Sequence, residues 1–60
     1  MMNWEQRWQV FYNRNSQKGF ADLGPAKRFL GNQGEGRIFE RVGLYLFLRY
    51  ELKRNRVCAV

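Results

Sequence analysis

The sequence has no histidine and no threonine, and only one residue each of cysteine, proline, serine and aspartate. Each shortage removes a class of chemistry. General acid-base catalysis near neutral pH usually enlists histidine or two carboxylates held close together, and here the nearest acids, Glu35 and Glu40, stand five residues apart. Cys58 has no imidazole to activate it. A single cysteine makes no internal disulfide and suits a reducing compartment. One Cys, one Asp and four dispersed Glu supply neither a tetrahedral zinc site nor an oxygen cage. The expectation is a protein without catalytic residues, cofactor, metal or small-molecule substrate.

Long hydrophobic runs are missing too. The longest, Val42-Gly-Leu-Tyr-Leu-Phe-Leu48, is closed off by Arg41 and Arg49 and falls far short of the ~20 residues a spanning helix needs. The opening Met-Met-Asn-Trp-Glu-Gln-Arg-Trp develops no apolar centre, so no secretory signal is expected.

What remains is one small domain of sixty residues. Scaling with chain size puts roughly 6,400 Å² out of water on folding. If about 60% of that is apolar, burial contributes on the order of 95 kcal/mol, against ~90 kcal/mol for ordering the chain. The two nearly cancel. With disulfide and metal both excluded, a partner surface is the expected source of extra stability.

The charge is lopsided: eleven Lys and Arg, eight of them Arg, against five Asp and Glu, for a net +6. Arginine is favoured where carboxylate or phosphate is gripped in two places and where a cation lies on an aromatic ring. Acidic protein faces, anionic lipid and RNA or DNA are the partners this balance suits.

Read for periodicity, the chain predicts a mainly α fold. Residues 3–14 fit a helix capped by Asn3 and Gln6, with Trp4, Trp8, Phe11 and Tyr12 on one face at i, i+4, i+7 and i+8. A second short helix is expected over 25–30, with Pro25 at its first position and Gly31 just past its end. The third and longest runs over 37–54, placing Ile38, Val42, Tyr45, Leu46 and Leu52 on one side. Gly-rich loops would join these helices in an extended chain packed on a partner. The alternative for the last segment is a strand at 43–53 in a small α+β fold, because Leu48, Tyr50 and Leu52 alternate with Arg49, Glu51 and Lys53.

Two local patterns suggest nucleotide chemistry and lose it on inspection. Gly31-Asn-Gln-Gly-Glu-Gly36-Arg37 resembles the opening of a phosphate-binding loop, but no strand is expected before it and Ile38 stands where Ser or Thr belongs. It reads as a connecting loop. Lys18-Gly-Phe-Ala21 matches the first four places of an RNA-recognition signature, and Asp22 then replaces the required aromatic.

Trp, Tyr and Arg are the residue types that dominate interfaces, and two Trp, three Tyr and eight Arg is a heavy load for this length. The expected function is therefore a non-catalytic structural or accessory subunit of a larger protein assembly. Trp4, Trp8, Phe11, Tyr12, Tyr45 and Phe47 would be its partner anchors, and Arg49, Lys53, Arg54 and Arg56 its anion-binding residues. Being short, basic, aromatic and free of catalytic residues, the chain is similar in composition to small supernumerary subunits of mitochondrial respiratory and ATP-synthesising complexes. That similarity implies a mitochondrial membrane complex as host, with anionic lipid contacts. The alternative function is a small basic nucleic-acid-binding protein, such as a ribosomal component, whose exposed rings stack on unpaired bases.

Overall fold

Trp8, Val10 and Tyr12 alternate with Gln9 and Phe11, and this two-residue period among aromatic and branched side chains is realised as strand β1 (Trp8–Tyr12). A computed structural model describes residues 6–60. After β1 come β2 (Ser16–Phe20), α1 (Leu23–Gly31), β3 (Gly36–Val42), β4 (Tyr45–Lys53) and β5 (Arg56–Ala59). The strands form one sheet in the order β2-β1-β3-β4-β5, with every neighbouring pair antiparallel. Since β2 and β3 both oppose β1, they run parallel to each other. Helix α1 makes the crossover between them, as a parallel pair requires.

The expectation of a mainly α fold is thus wrong. Within 3–14 the described residues 6–14 hold strand β1 and the start of the turn after it, and Trp4 and the Asn3 cap lie outside the described residues. The aromatic spacing that fits a helical face fits alternation equally well over Trp8 to Tyr12, and Val10, on the strand's inner face, is fully buried. The supposed helix over 37–54 is two strands folded back on each other. Gly43, which lies inside that expected helix, is instead the first corner of a two-residue turn with φ +62°, between the paired Val42 and Tyr45. β4 lies within the 43–53 span for which a strand is the alternative reading.

The other two hairpins rely on positive φ at Asn13 and Arg14 (50° and 70°) and at Arg54 and Asn55 (50° and 65°). Asparagine tolerates that region better than other non-glycine residues, which explains its place in both turns. The basic run 53–56 is therefore a hairpin corner and not the last turn of a helix.

Helix α1 also differs in its ends. It starts at Leu23, two residues before Pro25, behind an extended Asp22 whose side chain makes no capping bond. Gly31 belongs to the helix, and the amides of Asn32 and Gln33 close the end by donating to the carbonyls of Phe29 (3.1 Å) and Leu30 (2.9 Å). The expected left-handed glycine cap is absent there because these tighter bonds already satisfy the terminal carbonyls.

The core is one layer thick. Ala26 and Leu30 of the helix meet Val10 and Ile38 on the central strands β1 and β3, and all four are completely buried. Trp8, Tyr12, Phe20 and Tyr50 wall this cluster on the helix side. Gly36 permits a close approach of the helix to the sheet, since a Cβ there would stand 2.5 Å from Leu30 Cδ1 and 2.6 Å from the Phe11 carbonyl. Among the described residues, the opposite face of the sheet has no helix over it.

Candidate functional site

Two surfaces emerge from this arrangement, and the first is the outer edge of β4. β5 pairs with β4 only from Tyr50 to Lys53, and Val60 adds one further bond by donating its amide to the Arg49 carbonyl at 2.9 Å. From Tyr45 to Leu48, β4 has no strand on its outer side among the described residues. The chain entering β1 lies on the other side of β3, where the Arg41 amide donates to the Arg7 carbonyl at 2.8 Å. Because Val42 and Tyr45 close a two-residue turn as a bonded pair, ladder alternation turns the N–H and C=O of Leu46 and Leu48 outward.

The side chains on this edge are apolar and uncovered: Leu44 is 92% exposed, Tyr45 70% and Phe47 44%. Val42 and Leu46 are also exposed. A shallow hollow of about 240 Å³ lies at the turn between Arg41 and Leu46. Natural sheets blunt such edges with charge, proline or a bulge, and a long apolar edge left open invites another strand. The only blunting device here sits at the inner end of the open stretch. The register shifts between Ile38 and Phe39, leaving Arg49 as an extra residue on β4. Its guanidinium reaches Glu40 (3.1 Å) and lies 5.3 Å from the Phe47 ring.

Comparison with family models, with curated proteins and with solved structures finds no match to this chain. The candidate surfaces therefore stand on geometry alone.

Of the expected anchors, Tyr45 and Phe47 are on this open edge. Trp8 and Tyr12 instead pack on the helix side, where Trp8 meets Tyr50 (6.4 Å between ring centres) and Tyr12 meets Phe29 edge-on (4.8 Å). Phe11 points to the helix-free face. The expected anion-binding residues divide as well: Arg49 is paired with Glu40, Lys53 with Glu51 (3.5 Å), and Arg54 and Arg56 are exposed at and beside the β4–β5 corner. Leu44 and Leu46 were not among the expected anchors, although Gly43 in the middle of an apolar run is the signal that would have found them.

The helix-free face is the second surface. There the Phe11 and Phe39 rings meet edge to face, 5.3 Å apart at 84°, on the two central strands β1 and β3. A groove of about 430 Å³ runs past them, bordered by Arg14, Arg37, Leu46 and Glu51. Arg37 binds Glu51 through Nε at 3.1 Å. That hydrogen bond, aided by Lys53, holds the Glu51 carboxyl below its ordinary value of 4.5 against a smaller opposing effect of burial. Beside the rings, Gln17 donates from its amide to Gln9 Oε1 at 2.9 Å.

Among the described residues no group of three Cys, Asp or Glu side chains gathers as metal ligands would, and no helix is long and apolar enough to cross a membrane.

Proposed function

We propose that this protein is a non-catalytic assembly component that joins a larger protein by strand addition along the outer edge of β4. The observation that carries the reading is the unpaired stretch Tyr45–Leu48, whose outward backbone groups and exposed Leu44, Tyr45 and Phe47 offer hydrogen bonds and apolar surface together. An extended segment of a neighbouring subunit with apolar residues at alternate positions fits this edge. Its backbone would satisfy Leu46 and Leu48, and its side chains would cover Tyr45 and Phe47 on one face and Leu46 on the other. Arg54 and Arg56, at the far end of β4, remain available for acidic residues or lipid phosphates of the same assembly.

The test is affinity purification of the tagged chain from its native source, beside Phe47→Lys and Arg54→Ala. A stoichiometric protein retained by the wild type and by Arg54→Ala, but lost with Phe47→Lys, supports the reading. A partner retained equally by all three contradicts it.

A further inference from the structure

The helix-free face poses a different problem from the β4 edge, because its backbone is fully paired in the sheet and its exposed chemistry is mixed. Phe11 and Phe39 meet edge to face on the adjacent strands β1 and β3, half-buried on the side away from the helix. Strand alternation adds Arg37 and Arg41 from β3, Lys53 from β4 and Arg56 from β5 to the same face, and Arg14 borders its groove. Against these five cations stand two carboxylates, Glu35 at the groove and Glu51 on β4, and Glu51 is already held by Arg37 and Lys53.

We infer that this face is a platform for single-stranded nucleic acid, with Phe11 and Phe39 stacking on unpaired bases and Arg14 and Arg37 contacting the phosphates. Rings supply sequence-tolerant stacking because every base has a π-face, while guanidinium groups along a groove track the backbone. A duplex keeps its bases stacked on one another and offers these rings nothing to pair with. A protein partner is better served by the charge-free edge of β4 than by a groove bordered with guanidinium groups. Exposed Gln17, beside the rings, presents a side-chain amide that can meet a base edge. The inference does not depend on the strand-addition reading, because its two rings lie on β1 and β3 and not on the outer edge of β4.

The test is fluorescence anisotropy of the full chain with labelled oligo(U) and oligo(dT) of ~12 nucleotides, a duplex of the same length, and anionic lipid vesicles as competitor. Tight single-strand binding is expected, with duplex binding markedly weaker. Two phosphate contacts at a slope of ~0.7 each predict about a 7-fold loss of affinity between about 50 and 200 mM salt. Preference for oligo(U) over oligo(dT) would identify RNA as the natural source of the single strand, and the reverse DNA. Phe39→Leu, which keeps apolar volume without a ring, should weaken binding by at least ~5-fold, and Phe39→Tyr should restore it. Glu51→Gln should tighten binding by releasing Arg37 and Lys53. Duplex binding as tight as single-strand binding would overturn the inference, as would equal affinity of Phe39→Leu and Phe39→Tyr, or complete displacement by lipid vesicles at low concentration.

Discussion

The glycines of this chain serve opposite purposes, and substitution separates them. A methyl group at Gly36 would press on Leu30 and on the Phe11 carbonyl, whereas nothing lies within 4 Å of a Cβ at Gly31, in a helix where alanine is the better residue. Gly36→Ala should therefore destabilise the protein by ~1–3 kcal/mol, while Gly31→Ala should stabilise it by up to ~1 kcal/mol. Urea unfolding midpoints should move in opposite directions. Glu51 gives a residue-scale prediction about pH. Arg37 lowers its folded-state pKa, so the unfolded chain binds the proton more readily in acid. Its contribution is complete above pH 4.5 and is lost as pH falls below that through the lower folded-state value. Melting temperatures measured down this range should fall more steeply for the wild type than for Glu51→Gln, and parallel profiles would refute the assignment.

At the scale of elements, turn-prone residues stand at each strand reversal, although the helix expected over 37–54 ran straight through one of them. Asn13 with Asn15, Gly43 and Asn55 mark three of the chain reversals. The short helix was legible around Pro25 to Leu30, because its apolar residues Ala26, Phe29 and Leu30 have no strand-like alternative. The strands were not. Trp8, Phe11 and Tyr12 satisfy a helical face as well as alternation, and only burial of Val10 between β2 and β3 decides the matter, which is a long-range fact. For the same reason the expected anchors divide: Tyr45 and Phe47 are exposed on the β3–β4 hairpin, whereas Trp8 and Tyr12 pack on the side that α1 covers. The β3–β4 hairpin projects its apolar edge beyond the core, so Phe47→Lys should leave stability within ~0.5 kcal/mol of wild type. Denaturant unfolding checks this, and a large loss would mean that Phe47 belongs to the core rather than to an interface.

Seen whole, the described residues form one thin core, four completely buried side chains between a nine-residue helix and the middle of a sheet. Leu30→Ala would open a cavity in that layer at a cost of ~2–5 kcal/mol. Stabilities of ~0.05–0.15 kcal/mol per residue leave a chain this short little beyond that, so the far-UV circular dichroism of Leu30→Ala should show a largely unfolded chain at 37 °C. The expectation of a partner surface was drawn from length and composition. Among the described residues the exposed large apolar side chains, Val60 apart, gather on one hairpin, beside outward-facing backbone groups of β4.

Light scattering of the purified chain across a concentration series, beside Phe47→Lys, tests that localisation most directly. The account predicts that the wild type self-associates or aggregates as concentration rises and that Phe47→Lys is a folded monomer throughout. A wild-type chain that stays monomeric at high concentration and melts cooperatively at high temperature would contradict it.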